Sequence, residues 1–181
     1  MTGASAPESL GGGHVVQPPY GDWDRWQRWA AEQPASLGLG LTVQEIEDGC
    51  AICGLTESVL PLNPNGAAHG GLVAALTDQV GALATATRAP AGHGIVTVNL
   101  SLDYLRPAML PLRVEGHVLR STRSVIFTRI DVLHDGRRHD QLCATATGSW
   151  LVRPYSTPPA EAPDGAVATV TPVTSEPKGN S

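Results

Sequence analysis

The chain has 181 residues, 41% of them hydrophobic, which suits one core with extensions rather than two domains. Its formal net charge is -5 and it has no Lys/Arg-rich run, which argues against non-specific nucleic-acid binding. The first residues, MTGASAPESLGGGHVV, have neither the basic start nor the apolar centre of a secretory signal, and Pro, Gly and Asn break the uncharged runs; neither export nor a membrane span is expected, and the cytoplasm is the expected location.

Residues 1–20 are rich in Gly, Pro and Ser and are expected to be mobile. The stretch DWDRWQRWAAEQP then predicts a short helix, with Asp22 as N-cap and Pro34 after its end. Trp23, Trp26 and Ala30 recur at 3/4 spacing with Trp29 beside them, so this helix carries three of the four tryptophans. Such a stripe should dock on the main domain, although one indole lining a substrate pocket is the alternative. Residues 1–37 therefore read as an N-terminal extension, 38–152 as the main domain and 153–181 as a tail.

Between Leu39 and Val59 the pattern predicts two strands, near 39–47 and 50–59, turning at Asp48-Gly49. The second contains CAIC, from Cys50 to Cys53. Positions three apart on a strand face opposite sides, and no second Cys/His pair at ligand spacing accompanies them. With Cys143 the cysteine count is an odd three, so no disulfide framework, metal or cofactor is expected.

The next stretch, NPNGAAHGGLVAALTDQVGALATAT, predicts a helix over about 70–87 in which Asp78 is the one charge between Gly71 and Thr87. A helix apolar on nearly every side must be wrapped by a sheet or pressed against a second subunit. Four strands follow, near 95–106, 111–120, 125–134 and 141–152, with turns at Ser121-Thr122 and Asp135-Gly136. In the first of them Val96, Val98, Leu100, Leu102 and Tyr104 share one face, and Thr97, Asn99, Ser101 and Asp103 the other. Strict alternation therefore turns Thr97 away from the helix, and only a strand irregularity or an edge position would bring it to a helix-side site. In the last strand Leu142, Ala144, Ala146, Gly148 and Trp150 share a face, whose small residues would let the helix lie close. The tail from Arg153 holds six prolines and little apolar bulk, so disorder is expected. Two strands, one long helix and four strands predict an α+β architecture, an antiparallel sheet with one apolar face covered by one helix.

The stretch NPNGAAHGGLVAALTDQ followed by VTVNLSLDYLRPA resembles the PaaI-like, phenylacetate-degradation branch of the hotdog-fold acyl-CoA thioesterases. The resemblance spans about residues 38–152. It rests on Asn-x5-His-Gly-Gly, an Asp nine residues past the His, and then YLRPA. It implies a hotdog fold, an antiparallel sheet wrapped around one long central helix, here with an extra N-terminal helix. It further implies that Asn63 lies near the thioester, that His69 and Gly70 start the helix with the Gly70 N–H polarising the carbonyl, that Asp78 is the catalytic carboxylate, and that Thr97 helps to position water. Gly71 joins the substrate-binding helix start. Arg120 and Arg123, in VLRSTRS, match a basic hairpin for the nucleotide end of coenzyme A, with Arg106 and Arg88 as lesser candidates.

Thioester hydrolysis needs a place for charge on the carbonyl oxygen, and an activated water or a carboxylate nucleophile. Unpaired N–H groups at a helix N-terminus suit the first and Asp78 suits the second. Eight residues separate Gly70 from Asp78 on one helix, roughly 12 Å along the axis. One carbonyl carbon cannot sit within about 3 Å of both groups. Both can act on one thioester only if they come from two antiparallel helices across a twofold axis, giving two sites per dimer, each built from both chains. A homodimer or a tetramer formed as a dimer of dimers is expected, with acyl-CoA as substrate.

Plainer roles compete. Asp78 could pair with a cation, His69 could serve only as a cap, Asn63 could hold the NPNG turn, and the glycines could serve only packing. Two other functions also compete: a hotdog hydratase or dehydratase of enoyl or hydroxyacyl thioesters, and a non-catalytic acyl-CoA-binding protein. The acyl group, whether phenylacetyl, hydroxybenzoyl or medium-chain fatty acyl, stays open.

Overall fold

The computed structural model of the chain describes residues 21–136 and 141–154. The expectation of a mobile start concerns residues outside that set, as does that of a disordered tail from Arg153, except that Arg153 and Pro154 belong to the last strand. In chain order the elements are α1 (Trp23–Ala31), α2 (Pro34–Gly38), β1 (Thr42–Glu47), β2 (Cys50–Leu55), α3 (Gly70–Ala86), β3 (His93–Tyr104), β4 (Leu112–Ser121), β5 (Val125–His134) and β6 (Leu142–Pro154).

Asp22 caps α1, its carboxylate accepting the Arg25 N–H at 3.1 Å. Trp26 and Ala30 bury themselves against the domain, while Trp23 stays 42% exposed. The docking stripe is thus narrower than the spacing implied, and Trp23 leans on Trp26 at its margin. Gln27 fastens the helix to β1 by donating from Nε2 to the carbonyls of Val43 and Gln44, at 3.2 and 3.1 Å.

Pro34 does not merely end α1. It occupies the first turn of α2, where its missing N–H costs nothing. That short helix takes up residues through Gly38, so β1 starts at Thr42 rather than near 39. The second strand stops at Leu55 instead of running to 59, and β6 continues two residues past 152 to Pro154. The hairpin after β4 turns over residues 122–124, one residue later than Ser121-Thr122, with the Thr122 hydroxyl bonding both the N–H and the carbonyl of Val125.

The six strands form one antiparallel sheet in the order β1-β2-β4-β5-β6-β3, with α3 inserted between β2 and β3 in sequence. Its inward side chains, among them Leu55, Leu112, Val114, Ile130, Val132, Ala146 and Trp150, close around Leu72, Val73, Leu76, Val80 and Ala84 of α3. Each large aliphatic side chain fully buried there contributes about 1.5–3 kcal/mol. Thr128 shares the inward face of β5 with Ile126, Ile130 and Val132, and its hydroxyl bonds that of Thr85 on α3 at 2.8 Å. This is the expected sheet wrapped around a central helix, with α1 packed on β1 at one edge.

The close approach of helix and sheet falls elsewhere than expected. Ala144, Ala146 and Gly148 do face inward and are buried, but the open side of Gly148 is filled by the Trp150 ring. The α3 backbone instead comes close to Gly116 of β4, where a Cβ would meet the Val80 carbonyl oxygen at 2.9 Å. The same indole also leans on α3 at Gly81, where a Cβ would meet it at 2.7 Å.

Candidate active site

The loop ahead of α3 is organised by Asn63. Its Oδ1 accepts the N–H groups of Asn65 and Ala67 at 2.9 and 3.1 Å, and its backbone bonds Gly66 and Ala67. This is an Asx-type turn, so the plainer role considered for Asn63 is real. Asn63 also lines a cleft, described below, and its amide NH2 is not used by the turn. Ala68 then ties the loop to the segment after β3 by donating to the Ala108 carbonyl at 2.8 Å.

His69 is the N-cap of α3 in extended backbone, φ -64° and ψ 139°, and its side chain makes no capping bond. Its carbonyl takes the N–H groups of Leu72 and Val73 at 2.9 and 3.1 Å. The earlier N–H groups of the first turn, those of Gly70 and Gly71, are the ones a helix leaves without an internal partner. His69 and Gly71 are exposed, while Gly70 is half-buried. The Tyr104 hydroxyl lies over the helix start and donates to the Gly70 carbonyl at 2.7 Å. Tyr104 went unremarked as a site residue, although its place on the Leu100–Leu102 face of β3 was the signal that points it to the helix.

Two turns on, Asp78 is half-buried. Its partner is a hydroxyl: Thr97 Oγ1 donates to Asp78 Oδ1 at 2.9 Å. Among the described residues no cation pairs with it. The expectation that Thr97 faces away from α3 is overturned by a strand irregularity, in a strand that is also the edge of the sheet. The β3–β6 register shifts between Thr97, opposite Trp150, and Asn99, opposite Ser149. Val98 is the extra residue of a β-bulge. Before the bulge Ile95 and Thr97 lie on the α3 side, Thr97 at its exposed margin. After it Leu100, Leu102 and Tyr104 do, and Val96 is left on the outer face at 52% exposure.

Gly70 and Asp78 open into different clefts. One, about 320 Å³, is lined by Asn63, Asn65, Gly70, Tyr104, Arg106 and Ala108 among others. The other, about 370 Å³, lies between α2 and α3 and is lined by Ala35, Gly38, Leu39, Ala75, Asp78 and Gln79. No described residue lines both. Asn63 and Gly70 are thus brought together, as are Asp78 and Thr97, but the two pairs stay apart on one chain. Arg120 and Arg123 are exposed on the β4–β5 hairpin and line neither cleft. Arg106 lines the first cleft and donates to the Leu142 carbonyl, while Arg88 pairs with Asp48 at 2.6 Å on the surface.

The cysteines are set up for packing. Cys53 is fully buried, and burial pushes its thiol from an ordinary 9.0 up to about 12; burial, aided by Glu45, Glu47 and Glu115, lifts Cys50 to about 11. Neutral thiols of this kind are poor nucleophiles and poor ligands. Among the described residues no group of His, Cys, Asp and Glu is arranged to hold a metal, and no helix is long and apolar enough to cross a membrane.

Residues 65–140 match the model of the thioesterase superfamily. The chain is 32% identical over 116 residues to a protein named as an esterase in Saccharolobus solfataricus, covering 63% of this chain and 79% of that one. It is 29% identical over 94 residues to acyl-coenzyme A thioesterase 13 of Homo sapiens, covering 51% of this chain and 66% of the relative. In structure it is similar to a point mutant of the phenylacetic acid degradation protein PaaI from Thermus thermophilus, with a TM-score of 0.56 and 31% identity over 66% of this chain and 98% of that one.

Proposed function

Because the chain belongs to the thioesterase superfamily, we propose that it hydrolyses an acyl-CoA thioester to the free acid and coenzyme A. The observation that carries this reading is Asp78: the one charge on α3, it is held by a threonine that a bulge turns toward the helix, with no cation paired to it among the described residues. A carboxylate kept by a hydroxyl remains a base, whereas one kept by a guanidinium is a structural ion pair. The human relative's name, acyl-coenzyme A thioesterase, supports coenzyme A as the carrier.

In the proposed reaction Asp78 takes a proton from a water oriented with the help of Thr97. The water oxygen bonds to the carbonyl carbon, and the carbonyl oxygen becomes an oxyanion. The Gly70 N–H of the partner subunit donates to that oxyanion, with the α3 macrodipole adding to the field. The C–S bond then breaks, and the departing thiolate takes the proton from Asp78. Direct attack by Asp78 gives a mixed anhydride that water must open; both routes use the same groups. His69 fixes the helix start, the Asn63 amide serves as a second donor beside Gly70, and Arg120 and Arg123 of the exposed hairpin meet the phosphates of coenzyme A.

Two features support a homodimer. Gly70 and Asp78 sit in separate clefts of one chain, so a shared substrate needs a second copy. Strand β3 closes the sheet as an edge with Val96 and Val98 at 52% and 64% exposure, an edge that a partner would cover.

Acyl-CoAs of several classes, incubated with wild type and Asp78→Asn while free thiol is recorded, test the reading. Thiol release that falls about 100-fold or more in the variant is expected. No release from any ester, with coenzyme A still bound, overturns it. Loss of enoyl absorbance without thiol release transfers the protein to the hydratases.

A further inference from the structure

We propose that the cleft between α2 and α3 receives the acyl group, and that Ala35 and Gly38 of α2 set how long an acyl group it admits. The proposal rests on the hydrolase reading above and concerns the substrate end of the same site.

The two clefts differ in chemistry. The one at Gly70 offers amides, a phenol and a guanidinium, from Asn63, Asn65, Tyr104 and Arg106. The one at Asp78 offers Ala35, Gly38, Leu39 and Ala75, with Gln79 as the one polar side chain besides the carboxylate among its described lining residues. An acyl-CoA has two ends that meet at the carbonyl carbon, one apolar, the other polar and bearing phosphates. A cleft with a carboxylate and, among the described residues, no cation in its wall repels the phosphates and accepts the apolar end. The reacting carbon must also lie beside Asp78, so the acyl chain begins where the cleft begins.

The far wall is built to stay in place. Ser36 is fully buried, and its hydroxyl accepts from Gln79 Nε2 at 3.1 Å, joining α2 to the residue after Asp78. Its carbonyl takes the Leu41 N–H at 2.9 Å, which closes the segment onto the start of β1. The two α2 residues that line the cleft, Ala35 and Gly38, are small. At Gly38 a Cβ would meet nothing within 4 Å. A larger side chain there enters open space without straining the fold. At about 370 Å³ the cleft is at the small end of ligand sites, so a few added carbons of wall should be felt.

The test is kcat/KM for acetyl-, hexanoyl-, decanoyl- and phenylacetyl-CoA with wild type, Gly38→Leu and Ala35→Leu, with melting temperatures of all three. The expected result is unchanged melting and a profile that shifts toward short acyl groups. The longest acyl group that wild type accepts should lose at least tenfold in each variant. An unchanged profile, or equal loss on every ester, overturns this assignment while the hydrolase reading stands. No hydrolysis of any ester by wild type overturns both.

Discussion

At the level of single residues, Thr97 shows what a period-2 pattern can and cannot reveal. The alternation from Val96 to Tyr104 identified the strand correctly but put Thr97 on the wrong face, because one extra residue reverses the phase of everything before it. Nothing in VTVNLS marks Val98 as that residue; the shift exists only relative to β6, and pairing partners are not written in a strand's own sequence. Asp78 was legible for the opposite reason, since one carboxylate in an uncharged helix needs an explanation wherever the helix packs. Replacing the Thr97 hydroxyl by a methyl group of the same shape isolates its bond to Asp78. Thr97→Val is expected to lower kcat about 10- to 100-fold, the worth of a hydrogen bond to a charged group, and Thr97→Ser to restore most of it. Activity of the valine variant within twofold of wild type would remove Thr97 from the mechanism.

Among the elements, α3 and the four strands after it lie within a few residues of the expected bounds, because long periodic runs outweigh local ambiguity. The misses cluster where proline and glycine have two meanings. Pro34 ends one helix and starts the next, and a five-residue helix offers too few turns for its apolar face to repeat. The close approach of α3 to the sheet was assigned to β6 because small residues line it, yet a small residue shows only that room exists, not what fills it. At Gly116 the Val80 carbonyl fills it. A methyl group there must displace helix backbone rather than a pliable side chain, since it would lie 2.9 Å from that oxygen and 3.2 Å from the Ala84 Cβ. Gly116→Ala is therefore expected to destabilise the fold by about 1–3 kcal/mol, lowering the urea midpoint at unchanged slope. A neutral or stabilising change would show that helix and sheet are not in close contact at Gly116.

For the whole molecule, the decisive quantity is legible in the sequence: two groups eight residues apart on one helix cannot share a carbonyl carbon. The separate clefts agree with that distance, and they make the shared site testable by complementation. Asp78→Asn removes the carboxylate. Gly70→Pro removes the N–H and little else. Proline is favoured at the first helical position, Gly70 is not in the positive-φ region, and His69 already has the φ of -64° and ψ of 139° that a residue before proline adopts. A Cβ at Gly70 would lie 3.5 Å from the Tyr104 ring, an ordinary contact. Each variant alone is expected to be nearly inactive. Once their subunits exchange in an equal mixture, half of the dimers contain one copy of each. In those, one site carries both lesions and the other none, so activity should return to about a quarter of wild type. A site confined to one chain would gain nothing on mixing, whatever the oligomeric state. Recovery that tracks the growth of mixed dimers, followed by native mass measurement, would tie the carboxylate of one helix to the N–H of the other.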